Sequence, residues 1–237
     1  MPMEIAYGHW QTSEQEFVDW AAAWARAHPG ASICDVGGGA NPVLGEADRS
    51  GRRYVVLDVD EEELEKSPEG VEKVCADAAV PGFRAPGTFD LVLSSTTVEH
   101  IADPRRFHAN VREMLHPGGL AAHYFPALGA LPFVVNRYLP EEVGEQILLR
   151  IQPTRRQGGH HEKFPALYRG CRGPTRRQKR LYESAGFEVE RFVGYFGHGY
   201  YWPVSRLERL EKRKTAWLLR HPVPALAAYA TVVLRAV

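Results

Sequence analysis

Short apolar runs recur along the first half of the chain, each closed by a turn residue or an acid. They are Ala31–Cys34, the run ending at Leu57 after Arg53, Phe89–Leu93 and Leu120–Phe125; Val71–Cys75, with Glu72 and Lys73 inside it, reads as a further strand. Runs of this length and bounding read as strands, largely buried. Between them the apolar period lengthens. Phe17, Trp20, Ala21 and Trp24 share one helical face, as do Phe107, Val111, Met114 and Leu115. Ser13 with Glu16 reads as a capping box for the first of these helices, and Pro104 opens the second. A short helix is expected over Pro42–Ser50. In the second half, helical spacing covers Leu139–Ile151. Thr175 and Gln178 form a second capping box for a helix stopped by Gly186. Phe187–Tyr195 predicts a strand, Arg206–Arg220 a charged amphipathic helix and Ala227–Leu234 the last strand. Residues 127–172 are too many for a simple connection and should cover the strand ends with helices.

The densest signal is Ile33-Cys34-Asp35-Val36-Gly37-Gly38-Gly39-Ala40-Asn41-Pro42. A buried strand here feeds a turn whose glycines allow positive φ and close approach of a ligand. Asn41 suits a helix N-cap and Pro42 the first helical position, so the expected unit is strand, glycine turn, helix. Pro42 stands where a dinucleotide fingerprint needs its third glycine. Asp58 ends the next strand about twenty positions on, where an acid can accept both ribose hydroxyls.

Asp35-x-Gly37-x-Gly39 resembles the first motif of the class I S-adenosylmethionine (SAM)-dependent methyltransferases, with Asn41 in place of the last glycine. Val98-Glu99-His100-Ile101-x-Asp103-Pro104 and Leu115-x-Pro117-Gly118-Gly119 resemble the small-molecule branch of that superfamily, of methyltransferase type 11. The resemblance covers residues 31–126. It implies an α/β, Rossmann-like, seven-stranded and mostly parallel sheet with helices on both faces, an antiparallel last strand and a helical cap insertion. It implies one domain over residues 1–237: an N-terminal arm and helix (1–30), a SAM-binding half (31–126), a cap (127–180), and C-terminal strands and helix (181–237). The cofactor would be SAM, leaving as S-adenosylhomocysteine. It would be held by Asp35, Gly37, Gly38, Gly39, Asn41, Asp58, Val59, Asp77, Ala78, Ser94 and Ser95. Asp77 matches the position that bonds the adenine amino group. Residues 1–12, with Tyr7, His9 and Trp10, are either an arm packed on the surface or a lid over the cofactor.

Methyl transfer depends mainly on positioning, with a proton acceptor where the nucleophile needs one. His100, beside the expected cofactor site, and His160 and His161, in the cap, are the candidate bases. His123 lies in a strand and reads as packed. Tyr195, His198, Tyr200 and Tyr201 either line the acceptor pocket or form an aromatic core patch. Adjacent histidines point apart, so no metal site is expected.

Composition narrows the classes. The 237 residues carry 29 basic and 29 acidic side chains, so no global field points to nucleic acid or membrane. The fourth strand is followed by Ser94-Ser95-Thr96-Thr97. It lacks the Asn/Asp-Pro-Pro-aromatic tetrad of adenine methylation and the cysteine of cytosine methylation. The basic residues between 150 and 180 suit an anionic small acceptor or a solvated face, with RNA phosphates the other option. Cys34, Cys75 and Cys171 read as reduced packing residues of a cytoplasmic protein. Residues 1–10 lack the apolar core of a signal peptide, and Val223–Val237 is too short to span a bilayer. The expectation is a soluble monomer or homodimer that moves a methyl group to a small molecule, onto an oxygen of a metabolite or sugar-like acceptor. RNA or protein methylation, and SAM binding without transfer, are the alternatives.

Overall fold

The computed structural model describes residues 3–138 and 165–237. Among the described residues one sheet is built from β1 (Glu4–His9), β2 (Ile33–Val36), β3 (Tyr54–Asp58), β4 (Glu72–Cys75), β5 (Phe89–Ser95), β6 (Leu115–Pro126), β7 (Phe187–Phe196) and β8 (Tyr229–Ala236). Their order is β1-β7-β8-β6-β5-β2-β3-β4. Every pairing is parallel except those of β8, which runs antiparallel to both β6 and β7. The chain moves outward from β2 to β3 and β4, then returns to place β5 on the other side of β2. That reversal opens a crevice at the carboxyl ends of β2 and β5, where sheets of this kind bind ligands.

Period-2 alternation divides the core. Cys34, Val36, Val55, Leu57 and Val92 pack with Phe107, Val111 and Met114 around α4 (Pro104–Glu113). Their sequence neighbours Ile33, Val56, Leu91 and Leu93 pack with Phe17, Ala21 and Ala25 of α1 (Ser13–Ala27). Among the described residues the other helices are α2 (Glu46–Arg49), α3 (Glu61–Glu65), α5 (Leu131–Tyr138), α6 (Arg176–Glu183) and α7 (Ser205–Arg220). Asp103 caps α4 by accepting from the Arg105 and Arg106 N–H groups, and the Thr175 hydroxyl caps α6 at Gln178 N–H. No helix among the described residues is long and apolar enough to cross a membrane.

Several expectations need correction. The sheet has eight strands, not seven, because residues 4–9 pair in parallel with Arg191–Phe196. This segment covers the backbone N–H and C=O row that β7 would otherwise expose at the sheet edge. Asn41 and Pro42 do not start a helix. The Asn41 N–H closes a turn on Gly38 O at 2.8 Å, and the short α2 begins later, after Gly45. Ser13 is the first residue of α1 rather than its cap; its Oγ donates to Trp10 O at 2.7 Å. His116–Gly119 is not a turn ahead of the strand but an irregularity inside β6, where pairing with β5 shifts register. Cys34 and Cys171 are buried, whereas Cys75 is exposed, its Sγ donating to Val59 O at 3.7 Å. Of the expected cap, α5 is described; Leu139–Ile151, His160 and His161 lie outside the described residues.

The carboxyl edge is closed by a tight crossing of backbones. Ala127 N–H bonds Ala228 O at 2.7 Å, and a Cβ on Gly129 would stand 2.1 Å from Ala227 O. Gly129→Ala should therefore destabilise the fold by about 1–3 kcal/mol. In a thermal melt this reads as a loss of several degrees. An unchanged melting temperature would show that the crossing yields easily.

Candidate functional site

The glycine loop is shaped from beneath. Asp35 is fully buried in β2, and its Oδ2 accepts from Val43 N–H and from the Tyr54 hydroxyl, both at 2.6 Å. Burial pushes this carboxyl up to about 6, against those two hydrogen bonds. Asp35 thus faces into the protein and fixes where the loop ends. Gly37 has φ +77°, and its position is pressed against Thr97, whose Oγ1 would lie 2.3 Å from an added Cβ. Thr97 Oγ1 in turn donates to Val36 O and Ser95 O, each at 3.1 Å. Those contacts join the ends of β2 and β5 across the crevice.

Asp58 ends β3 beside this loop. It is half-buried and accepts from Asp60 N–H at 3.0 Å and from the Gly39 and Val59 N–H groups. Burial raises its carboxyl above the ordinary range, and the three N–H bonds oppose the rise. A Cβ on Gly39, at φ +39°, would come within 3.2 Å of Asp58 Oδ2. Glycine keeps that space clear. Val59 is exposed, and Asp77 lies exposed after the neighbouring strand end, its Oδ1 accepting from Ala79 N–H at 2.7 Å. Ala78 is buried under the same turn. Gly37, Gly38, Gly39, Asn41, Asp58, Val59 and Asp77 thus converge on one edge of the sheet. Ser95 also reaches that edge, but Ser94 turns inward and bonds His123 Nδ1 at 2.8 Å. His123 is buried against Phe107 and His108, as its place in a strand suggests, and burial lowers it to about 3.

Past Thr97 the chain makes a 3₁₀ turn, Val98–His100. His100 is partly exposed; its Nδ1 meets Pro165 O at 3.2 Å, so Nδ1 carries the proton. Its Nε2 lies 3.9 Å from Glu99 Oε1. Glu99 is the functional candidate that the sequence did not single out. Its side chain is buried, its Oε2 has no hydrogen-bond partner, and burial pushes its carboxyl up to about 8. An acid inside the apolar frame Val98…Ile101 was the visible signal; its burial was not.

Glu99 interacts electrostatically with Tyr124 and Tyr168, which burial raises to about 12 each. These belong to a joined aromatic group. Phe133 of α5 contacts Tyr168, Tyr200 and Tyr229, with ring centroids 5.4–5.8 Å away, and Tyr124 stacks on Tyr229 at 6.0 Å. Tyr200 therefore joins Glu99's neighbourhood. His198 and Tyr201 sit together nearby, centroids 4.6 Å apart. Tyr195 goes elsewhere, donating to Glu16 Oε2 at 3.0 Å on the α1 side. Among the described residues no cluster of ligating side chains has metal-site geometry.

Comparison with known proteins follows the same stretch. Residues 34–123 match a family model described as a methyltransferase domain. An "uncharacterized methyltransferase" of Mycobacterium sp. strain KMS is 34% identical over 105 residues, 43% of this chain and 41% of the relative. One of Mycobacteroides abscessus is 30% identical over 110 residues, 43% of this chain and 42% of that one. The match thus spans about two-fifths of these curated relatives. Among solved structures, a SAM-dependent methyltransferase from Mesorhizobium loti superposes with a TM-score of 0.51 at 19% identity, covering 92% of this chain and 99% of that one. The N-methyltransferase NodS from Bradyrhizobium japonicum, solved with S-adenosylhomocysteine, gives 0.51 at 11% identity, covering 96% and 91%. The [4+2]-cyclase SpnF gives 0.56 at 14%, covering 99% and 89%. Residues 34–123 thus resemble a methyltransferase domain, and the chain shares its fold with SAM-dependent methyltransferases.

Proposed function

We propose that this protein is a SAM-dependent methyltransferase of one domain over residues 1–237, acting in the cytoplasm on a hydroxyl oxygen of a small molecule. The observation that carries the reading is the shared edge of the Gly37–Gly39 loop, Asp58 and Glu99. One carboxylate lies beside a glycine loop kept open against it; the other is buried, without a partner on Oε2, among aromatic rings. A Cβ at Gly39 would fill the space facing Asp58, so the residues present fit a nucleoside whose ribose hydroxyls donate to that carboxylate. Asp77, after the next strand end, would bond the adenine amino group. Bound SAM supplies an electrophilic methyl group. The fold alone does not decide the chemistry, since a cyclase shares it.

On this reading the chain's own residues do three things. Tyr124, Tyr168, Tyr200 and Tyr229, with Phe133, present an aromatic wall that excludes water and holds a small acceptor. In its ionised form Glu99 takes the hydroxyl proton at Oε2; because burial holds its carboxyl near 8, that form grows as pH rises through 8, and transfer should speed up with it. His100, with Nδ1 at Pro165 O, turns Nε2 toward Glu99 and is the next proton carrier outward. The basic run that suggested an anionic acceptor lies largely outside the described residues.

The defining experiment is calorimetric titration with SAM and S-adenosylhomocysteine, followed by an acceptor screen read as a mass gain of one methyl group. Both ligands should bind; a folded protein that binds neither overturns the proposal. Asp58→Ala should weaken binding by about 1.5–3 kcal/mol, the worth of charge-assisted hydrogen bonds. Unchanged affinity would remove Asp58 from the site.

Glu99 also makes a pH prediction. Its carboxyl is held near 8 in the folded protein against 4.5 as its ordinary value, so the folded state holds a proton that the unfolded state has released. Stability should fall as pH rises through that window. The buried, neutral His108 and His123 act in the opposite direction, but only below 6.5; Asp35, also raised by burial, acts in the same direction as Glu99, but only below about 6. From pH 6.5 to 8 the loss attributable to Glu99 should be about 2 kcal/mol. Urea melts of Glu99→Gln should lack that slope; a slope equal to the parent's would mean Glu99 is ionised in the folded state.

A further inference from the structure

We infer that α7 seats this protein on the surface of an anionic phospholipid bilayer. Taken around its axis at 3.6 residues per turn, the helix carries three adjoining stripes. Glu211, Thr215 and Leu218 are buried against the fold. Next to them run Leu207, Leu210 and Trp217, exposed by 44%, 60% and 49%. Beyond these run Arg206, Arg209, Arg213 and Arg220. Single exposed apolar residues are ordinary, but three aligned on one helix leave an apolar strip in water.

The charges say what covers it. The helix has six basic residues against two acidic ones, in a chain whose charges balance overall. Both acids are already engaged: Glu208 with Lys212 at 3.1 Å, and Glu211 with Lys214 at 2.7 Å and with His198 at 3.5 Å. The four arginines of the outer stripe have no carboxylate partner among the described residues. A second copy of the chain would bring this cationic face against itself. An anionic bilayer meets both stripes at once: Leu207, Leu210 and Trp217 enter the headgroup–acyl boundary while the arginines lie at headgroup phosphates. The inference is independent of the catalytic reading.

The test is co-sedimentation of the full chain with vesicles of phosphatidylcholine alone or mixed with phosphatidylglycerol. Binding should be strong to the mixed vesicles, weak to the neutral ones, and should fall as salt is raised. Arg206→Glu with Arg213→Glu should cut partitioning more than tenfold, since one basic side chain near such a surface contributes roughly a fivefold factor. Leu210→Asp should also release the protein. All these positions are exposed, so thermal melts should match the parent's and separate docking from folding. Equal binding to both vesicle types, or none at low salt, overturns the inference. So does dimerisation in sedimentation velocity that Leu210→Asp abolishes without any vesicle binding, or salt-sensitive binding to duplex RNA instead.

Discussion

The buried carboxyl of Asp35 is the constraint on which the site depends. Its Oδ2 holds Val43 N–H and the Tyr54 hydroxyl at once, so it ties the exit of the glycine loop to the first residue of the neighbouring strand. Burying an acid is costly, and only such charge-assisted bonds make it tolerable. Because the loop exit is pinned, the turn over Gly37–Gly39 must fold back on itself, as the Asn41–Gly38 hydrogen bond records. The loop then lies against Thr97 on one side and Asp58 on the other, with no room for side chains at Gly37 or Gly39.

The second half of the site depends on a different kind of packing. Backbones at Gly129 and Ala227 approach too closely for a Cβ, which draws the start of β8 and the residues leading into α5 together at the carboxyl edge. That approach lets Phe133 reach Tyr229 and Tyr200, and it closes the aromatic group over Glu99. A carboxyl surrounded this way loses hydration without gaining a cation, so its proton is held more tightly. A shallow, rigid half built on glycines and a deeper, aromatic half meet at the single turn Thr97–His100.

Residues near the sheet centre were the most legible. Strands β2, β3 and β5 are buried on both faces near the sheet centre, so their apolar runs announce them directly. Asp58 and Asp77 were readable from their place: Asp58 closes one strand and Asp77 follows the end of the next. The N-terminal segment was not readable as a strand. Nothing in Glu4–His9 specifies a partner some 180 positions away, and its pairing with β7 comes from an open sheet edge. The misplaced helix start at Asn41–Pro42 has a similar origin. Local cap chemistry favoured it, but Asp35 claimed the Val43 N–H for itself.

What the sequence determined by itself was the parallel α/β scaffold, the glycine loop and the acids at the strand ends, because these are written in local period and local turn chemistry. Burial decided the rest. Ser94 turned to His123 and away from the crevice, Tyr195 turned to Glu16, and Glu99 became a carboxyl that keeps its proton. Each outcome depends on which distant side chains surround a residue, and that is fixed only when the strands, α1, α4 and α5 pack together.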